Sequence, residues 1–361
     1  MEELFYAIAL SRLRGITQAA ALDCLRRYGS ARAVYEHRDE IVGRGGRALT
    51  DWSEALRGAE AELEFCAAHG VVPVSLCGDD YPSRLRECAD APLVLYGKGT
   101  ACLNARRAVA VVGTRRITEY GKDLCRHLVQ DLVAMFPDCL VVSGLAYGVD
   151  IHAHRAALEA GAQTVGVLAH GLDMIYPSSH RATAAAMTGQ GGLLTEYVAH
   201  TPAEKGNFVR RNRIVAGMTD ATVVVESAEK GGALITARLA RDYSREVFAF
   251  PGRVGDAASA GCNALIRSNV AALITSAADM ADALGWVPAA ESRPVQLSLF
   301  PELSPAEKQL CDLLRGQEAK SVNQLAAGAA LPVQQVSALL FELELKGVVG
   351  TLSGGRYRLV D

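Results

Sequence analysis

Seven short apolar runs, rich in β-branched residues, constrain the fold of this chain more than any other feature of its sequence. Ala-rich segments of helix length separate the runs, and this alternation is typical of a parallel sheet that helices cover on both faces. The runs are 108–112, 139–143, 164–168, 192–196, 221–226, 246–250 and 271–275. The sequence therefore predicts an α/β domain over residues 105–286, with a doubly wound and mostly parallel sheet.

The segments on either side of this domain have different patterns. Residues 1–70 carry helically spaced apolar positions broken by glycines, which predicts a small helical domain. The turn at 13–17 fits either a helix-hairpin-helix or SAM-type module or a domain that serves only for packing. Residues 71–104 are interpreted as a connector and residues 287–303 as a linker. Residues 304–361 predict three helices followed by a glycine-turn hairpin, which is the plan of a winged helix.

Composition narrows the class of protein. Hydrophobic residues make up 50% of the chain and charged residues 21%, which is typical of a globular protein. The N-terminal sequence lacks the regions of a signal peptide, and no apolar run approaches roughly 18 residues, so we expect a cytoplasmic protein. The nine cysteines form no Cys-x-x-Cys pair, which favours reduced thiols. Because the net charge is −3, a site for a polyanion requires a local cluster of cations.

Ligands of an open α/β sheet bind beyond the carboxyl ends of its strands, so the loops after the apolar runs are the candidate binding segments. The first of these loops carries Arg115 and Arg116 and matches neither the dinucleotide-binding motif nor the P-loop motif. Two arginines at a strand end suggest direct contacts to phosphates. Arginines that simply face solvent are the alternative.

The second loop joins the 139–143 run to an Ala-rich helix. Its small residues are Ser143, Gly144, Ala146 and Gly148. Small residues let backbone N–H groups converge on an anion at a helix N-terminus, which predicts a phosphate-binding turn.

The third candidate is the basic stretch 205–213, which holds four cations, no acid and one aromatic residue, Phe208. Single-stranded nucleic acid requires this combination, because cations neutralise backbone phosphates while an aromatic face stacks an unpaired base. A solvated basic helix would show the same composition.

Two further features leave alternatives open. Gly231 and Gly232 follow another predicted strand and could hold a second phosphate or allow a helix to pack closely. Asp150, His152 and His154 suggest a metal site, but their positions in the first turns of a helix favour a cap and a helix-internal hydrogen bond between Asp150 and His154. The sequence has no serine-hydrolase elbow, zinc-hydrolase motif or clustered carboxylates, so it favours binding over catalysis.

Several blocks of this sequence resemble the DNA-processing protein A family, also called DprA or Smf. The resemblance spans roughly residues 93–272. Its blocks occur in the family's order and are 111–115, 143–154, 171–173 with 176–177, 208 with 211–217, 232–237 and 247–252. The resemblance implies an extended Rossmann-like domain between a SAM-like N-terminal domain and a winged-helix-like C-terminal domain.

The resemblance also implies a function. It implies a homodimer that binds single-stranded DNA, protects incoming strands and loads RecA onto them during natural transformation. We expect neither a cofactor nor a metal. The family's DNA pocket matches Arg115, Lys205, Phe208, Arg211 and Arg213, and its phosphate-facing turn matches the loop that begins at Ser143. The candidate strand-binding residues are Arg115, Arg116, Ser143, Gly144, Ala146, Gly148, Lys205, Asn207, Phe208, Arg211, Asn212, Arg213, Gly231 and Gly232.

Two nucleotide-based functions remain as alternatives. One is an enzyme that hydrolyses the glycosidic bond of nucleoside monophosphates, and the other is a nucleotide sensor. Such an enzyme requires a carboxylate in the second glycine turn, whereas Glu226 and Glu229 precede Gly231.

The linker and the C-terminal domain carry weaker signals of function. Residues 301–361 hold six Lys or Arg and seven Asp or Glu, so a protein-contact or regulatory role is as well supported as duplex binding. In the linker, Gln296, Leu299 and Phe300 resemble the peptide that docks bacterial proteins on the replication sliding clamp. Packing of this apolar pair on a neighbouring domain is the alternative.

Overall fold

The computed structural model describes residues 2–41, 52–288, 303–315, 319–352 and 354–360. The N-terminal part is helical, as predicted. Thr17 begins the second helix by accepting a hydrogen bond from the backbone N–H of Ala20, and Gly29 ends it with a φ of 84°. The helices are α1 (Glu2–Arg12), α2 (Gln18–Tyr28), α3 (Ala31–Glu36) and α4 (Trp52–His69).

The N-terminal helices share a hydrophobic core with the strand at Val94–Gly99. Ile8 and Leu10 of α1 are fully buried, and they belong to the same cluster as Leu22 of α2 and Tyr96 of this strand. Apolar burial on this scale fixes the helices against the edge of the sheet.

Nine strands form one sheet within the described residues, in the order β1-β2-β6-β5-β4-β3-β7-β8-β9. All neighbours from β6 to β9 in this order are parallel, which confirms the predicted doubly wound and mostly parallel sheet. The strands are β1 (Val72–Ser75), β2 (Val94–Gly99), β3 (Arg107–Val112), β4 (Cys139–Ser143), β5 (Thr164–Val167), β6 (Gly191–Thr195), β7 (Ala221–Val224), β8 (Glu246–Ala249) and β9 (Ala272–Leu273).

The connector expected over residues 71–104 is wrong in part, because this segment contributes two strands. β2 pairs antiparallel with β6, with Tyr96 opposite Thr195, and β1 pairs antiparallel with β2. β1 has only four residues and includes Pro73, which is tolerated because β1 is the outermost strand and needs fewer backbone donors. The short length and the proline conceal the strand pattern in the sequence.

Helices cover both faces of the sheet. Successive residues of β3 alternate between the two layers: Ala108 and Ala110 pack in one core cluster, and Val109 and Val111 pack in the other. The covering helices are α5 (Ser83–Arg86), α6 (Glu119–Met135), α7 (Val149–Glu159), α8 (Arg181–Gln190), α9 (Lys205–Gly217), α10 (Gly232–Asp242), α11 (Ala260–Arg267) and α12 (Ala277–Ala283).

The C-terminal domain is a winged helix, as predicted. Ser304 and Ser321 each form a capping box at the start of a helix. Its elements are α13 (Pro305–Leu314), β10 (Lys320–Ser321), α14 (Val322–Ala329), α15 (Val333–Leu345), β11 (Val349–Leu352) and β12 (Arg356–Leu359). The three strands pair in the order β10-β12-β11.

The wing hairpin contacts the α/β domain through Arg356 at the start of β12. Its Nη2 lies 3.9 Å from Oδ1 of Asp220, and its Nε lies 3.7 Å from Oε1 of Glu87. Asp220 directly precedes β7, so the wing packs near the amino ends of the strands. The winged helix therefore lies away from the carboxyl-end loops that form the candidate binding segments.

Within the described residues, no single helix combines the length and the apolar character that a membrane span requires. The pair α14 and α15 meets both criteria only when taken together, and a bend of 109° separates its two helices.

Candidate nucleic-acid interface

The site lies where the chain order of the sheet reverses, at the carboxyl ends of β3, β4 and β7. A crevice outside such a reversal point is the usual ligand site of an open α/β sheet. Here it is a cavity of about 410 Å³, which we call the strand cleft. Its lining includes Thr114, Arg115, Arg116, Gly144, Ala146, Asp150, Phe208, Arg211, Asn212, Lys230, Gly231 and Gly232.

An aromatic and cationic ridge stands at the strand cleft. The Arg115 guanidinium lies over the Phe208 ring, 5.3 Å from its centroid. The Tyr176 ring lies on Phe208 as well, with 5.7 Å between centroids and a tilt of 58°. Arg115 and Tyr176 are exposed, so a planar group can reach both the rings and the cation.

Tyr176 is a site residue to which the sequence alone assigned no role. Its backbone N–H donates to Nε2 of His170, 3.2 Å away, and this bond fixes the loop that carries the ring. Nδ1 of His170 lies 2.8 Å from the carbonyl of Gly171, so the neutral ring donates on one side and accepts on the other. One sequence signal could have identified Tyr176 as a site residue: it is an aromatic residue in a loop after a strand, within the 176–177 block.

Arg211 ties the turn after β4 to the end of β5. It is only 3% exposed, and its Nη1 donates to the carbonyl oxygens of Gly144, at 2.6 Å, and Val167. A Cβ at position 144 would overlap the Arg211 guanidinium, so the glycine is required for this approach. Arg211 therefore shapes the strand cleft as well as adding charge to it.

Asp150 is the carboxylate next to Arg211. It accepts a hydrogen bond of 3.3 Å from the backbone N–H of Ala146. Burial raises the pKa of Asp150, while the Arg211 charge and the backbone donors oppose that rise. The carboxylate thus holds the turn after β4 in place.

The N-terminus of α10 opens toward the strand cleft. Gly231 occupies its cap position without a side-chain hydrogen bond to the helix, which leaves the first backbone N–H groups of α10 uncapped. Lys230 is exposed beside them. Uncapped N–H groups, the helix dipole and a lysine together favour an anion at this point.

The loop after β3 is anchored by Glu226 at the end of β7. Both carboxylate oxygens accept hydrogen bonds from Thr118, at 2.8 Å from its N–H and 2.6 Å from its hydroxyl. Glu226 is 3% exposed and does not line the strand cleft. These two hydrogen bonds fix the loop that presents Arg115 and Arg116.

Two of the expected contacts are wrong. Ser143 is fully buried and its hydroxyl donates to the carbonyl of Val111, 2.6 Å away, so it joins β4 to β3. Arg213 is buried on the other side of α9, where its Nη2 lies 2.5 Å from Oε2 of Glu196. Neither side chain faces the strand cleft.

Three other expected residues do not line the strand cleft. Lys205 is exposed at the start of α9. Asn207 donates from Nδ2 to the carbonyl of Pro202 at 3.3 Å. Gly148, with a φ of 78°, packs its backbone against the Thr114 carbonyl and so supports the turn from behind.

The histidines near this turn have other contacts. Nδ1 of His154 lies 2.7 Å from the hydroxyl oxygen of Thr164, so the expected hydrogen bond between Asp150 and His154 is replaced by one to β5. Burial lowers the pKa of His152. No group of three or more potential metal ligands occurs within the described residues. The candidate clamp-binding residues Gln296, Leu299 and Phe300 lie outside the described residues.

The strand cleft is strongly basic although the whole chain has a net charge of −3. Among the described residues, one carboxylate, that of Asp150, and four cations line it, namely Arg115, Arg116, Arg211 and Lys230. A basic cleft with an exposed aromatic ridge can hold a phosphate chain and stack a base.

Two family models match the chain. The model described as DNA recombination-mediator protein A matches residues 74–285, and the DprA winged helix domain matches residues 298–355. The chain is 41% identical over 340 residues to the putative DNA processing protein DprA of Mycobacterium tuberculosis, covering 92% of this chain and 82% of that protein. It is 35% identical over 298 residues to the protein Smf of Escherichia coli, covering 81% and 78%.

Solved structures agree with these matches. DNA processing protein A from Streptococcus pneumoniae has a TM-score of 0.66 and 31% identity, covering 77% of this chain and 97% of that one. DNA processing protein A from Helicobacter pylori has a TM-score of 0.54 and 30% identity, covering 59% and 95%. The Helicobacter pylori structure is described as giving insight into a unique single-stranded DNA binding mode.

Proposed function

Because the chain belongs to the DNA-processing protein A family, we propose that it binds single-stranded DNA in the strand cleft and loads RecA onto incoming strands during natural transformation. The observation that carries the proposal is the ridge of Arg115, Phe208 and Tyr176 beside a cleft with four cations. The ridge offers a stacking surface for a base, and the cations offer contacts for its phosphates.

The ridge favours single strands over duplex. In a duplex each base is stacked between its neighbours, so its face is not available to Phe208 or Tyr176. An unpaired base can lie on these rings, and stacking of this kind contributes roughly 1–3 kcal/mol per base. The phosphates on either side of that base would contact Arg115 and the uncapped N-terminus of α10.

The positions of the carboxylates support a non-catalytic protein. Glu226 is committed to Thr118, and Asp150 is held by the Ala146 N–H and lies beside Arg211. Glu229 does not line the strand cleft. A glycosidic hydrolase requires a carboxylate free to reach the sugar, and these three acids do not meet that requirement.

The proposal also includes action in the cytoplasm as a homodimer, without a cofactor. The winged helix contributes protein contacts in this scheme, since α15 carries two glutamates and no lysine or arginine. Contact of the linker motif with the sliding clamp remains part of the proposal. RecA loading is measured as faster filament growth on strands already coated with single-strand-binding protein.

Phe208→Ala tests the stacking step. We expect affinity for an oligonucleotide to fall by roughly 1–3 kcal/mol, because the main stacking surface is removed. The affinity for an abasic oligonucleotide of the same length should change little, and Phe208→Trp should restore binding of the normal strand. Phe341→Ala, an exposed phenylalanine on α15, is the matched control and should bind like the unmodified protein.

Fluorescence anisotropy with labelled oligonucleotides provides these affinities. An equal loss for normal and abasic strands would contradict stacking on Phe208. Tight binding of a nucleoside monophosphate, together with no binding of any strand, would instead indicate a nucleotide enzyme or sensor.

A further inference from the structure

A second cavity, of about 470 Å³, lies between the N-terminal helices and the α/β domain. We call it the interdomain groove. It is lined by Arg12 and Arg14 at the end of α1, by Thr17 at the cap of α2, and by Tyr197 and Arg210 of the α/β domain. A volume of this size is in the range of small-ligand sites, roughly 300–1,000 Å³.

Helix α9 separates the interdomain groove from the strand cleft. Phe208 and Arg211, three residues apart, line the strand cleft. Arg210 lines the interdomain groove, and Arg213, three residues further, lies on the same side of the helix. The two sites are therefore about one helix diameter apart, roughly 10–12 Å.

The cations of the interdomain groove are available to a ligand. Arg12 and Arg210 have no hydrogen bond or ion pair with any described residue, and both are exposed. Arg14 pairs with Glu54 at 3.2 Å, but the two side chains are 81% and 51% exposed, so solvent weakens that pair. Glu196, which also lines the groove, binds Arg213 through Oε2. An anion can thus bind without first separating a buried ion pair.

The walls of the interdomain groove are fixed by half-buried hydrogen bonds between the two domains. Nε2 of Gln18 in α2 donates to the carbonyls of Asp90, at 2.8 Å, and Ala91, at 2.7 Å. Oε1 of Gln18 accepts from Nη2 of Arg213 at 3.1 Å. The N-terminal helices are therefore held at a set position relative to α9.

From this geometry we infer that the interdomain groove binds a further stretch of the same single strand, with Arg12 and Arg210 contacting its phosphates. This inference rests on the proposed function and extends it to the N-terminal helices. A gap of roughly 10–12 Å corresponds to about three nucleotides at the axial rise of roughly 3.4 Å per nucleotide in a stacked strand, and to fewer in an extended strand. A strand that leaves Phe208 can cross α9 past the exposed Val209 and reach Arg210.

The test compares oligonucleotides of two lengths. One of about five nucleotides fits the strand cleft alone, and one of about fifteen also reaches the interdomain groove. We expect Arg12→Ala with Arg210→Ala to weaken binding of the long strand roughly tenfold at low salt and to reduce its salt slope by about 1.4, since two phosphate contacts are lost. Binding of the short strand should remain as in the unmodified protein.

Matched variants separate a local contact from a change of net charge. Arg26→Ala with Arg27→Ala removes the same charge from an exposed part of α2 outside the groove and should leave both affinities unchanged. Arg12→Lys with Arg210→Lys should retain long-strand binding. Arg210→Ala alone, at an exposed position, should show about half of the change in slope, so the test does not depend on folding of the double variant.

The outcomes distinguish the two claims. Failure of the unmodified protein to bind the short strand would refute the proposed function. The double variant and the unmodified protein could bind the long strand with equal affinity while the short strand binds normally. That result would overturn DNA binding in the interdomain groove and leave DNA binding in the strand cleft supported. An equal loss for both lengths would also overturn DNA binding in the interdomain groove.

Discussion

His154 lies in the core behind the strand cleft, and its hydrogen bonds identify which ring nitrogen carries the proton. The Thr164 hydroxyl donates to the carbonyl of Val141 at 2.9 Å, so it accepts from the Nδ1–H of His154. Nε2 is buried and has no partner within the described residues. Protonation there would place an unpaired charge in the core, and burial lowers the pKa of His154 to about 3.

This depressed pKa predicts a pH dependence of stability. Between pH 6.5 and about 3 the unfolded chain binds a proton at His154 that the folded chain does not. The free energy of unfolding therefore does not depend on His154 above pH 6.5. Below pH 6.5 it falls as the pH falls, by up to about 1.4 kcal/mol per pH unit. In urea unfolding over this range, His154→Gln should show a shallower slope, whereas His127→Gln, at an exposed position, should retain it. Parallel slopes for His154→Gln and the unmodified protein would contradict this role of the histidine.

Arg213 is the buried partner of a largely buried carboxylate. Its guanidinium neutralises Glu196, whose pKa is raised by burial and lowered by Arg213. Arg213→Ala should destabilise the protein by roughly 3–5 kcal/mol, because it leaves a buried carboxylate without its partner. Arg213→Met with Glu196→Leu should lose much less. Thermal unfolding measures both, with the exposed Arg210→Ala as a control expected to be close to the unmodified protein. Equal stability of Arg213→Ala and this control would refute the role of the pair.

The basic stretch 205–213 could be predicted from the sequence only in part. Its composition correctly predicted a cluster of cations with an aromatic residue, but composition does not say which residues share a face. Once the stretch is helical, its period of 3.6 residues places Phe208 and Arg211 on one side of α9 and Arg210 and Arg213 on the other. The expected DNA contact of Arg213 failed because its side chain binds Glu196, which follows β6, and Gln18 of α2.

The strands show a similar division. Runs such as 108–112 and 246–250 predicted β3 and β8, because a strand that is covered on both faces requires a continuous apolar sequence. β1 and β2 were missed because they are antiparallel strands at one edge of the sheet, near several prolines. Tyr176 was missed because its contact with Phe208 depends on the spatial proximity of two segments, which no local pattern reports.

The turn after β4 depends on the backbone conformation of Gly148. Gly148 has a φ of 78° and a ψ of −129°, and a Cβ there would overlap the carbonyl of Thr114. Gly148→Ala should therefore destabilise the protein by roughly 1–3 kcal/mol and weaken its binding of single-stranded DNA. At Gly206, in the first turn of α9, no atom of the described residues lies within 4 Å of an added Cβ, so Gly206→Ala should be neutral or slightly stabilising. Urea unfolding and anisotropy measure the two effects, and matching curves for the two variants would refute the assigned strain.

The wing of the C-terminal domain is anchored to the α/β domain by a charge cluster whose arginines are buried. Arg356 is 6% exposed beside Glu87 and Asp220, which also bind Arg245, at 3.0 Å, and Arg84, at 2.6 Å. Three arginines thus share two carboxylates at the amino ends of the strands. This contact holds the winged helix away from the strand cleft.

Arg356→Ala should release the wing. Removing the arginine eliminates the contacts to Glu87 and Asp220, so hydrogen exchange should accelerate in β11 and β12 and in the segment around Asp220. Affinity for a short single strand should not change, because the strand cleft lies at the opposite ends of the strands. Arg315→Ala, which removes an exposed pair with Asp312 in the same domain, should leave exchange as it is. Unchanged exchange in Arg356→Ala would contradict docking through this residue.

The proposed function requires that a protein with an overall charge of −3 bind single-stranded DNA through one locally basic cleft. Fluorescence anisotropy of a labelled single strand over a salt series, with duplex DNA and a nucleoside monophosphate as competitors, measures this binding. We expect strand-selective binding whose logarithm falls with log salt at about 0.7 per phosphate contact, and a smaller slope for Arg115→Ala. Binding of the monophosphate alone, or a slope that Arg115→Ala does not change, would contradict binding in the strand cleft.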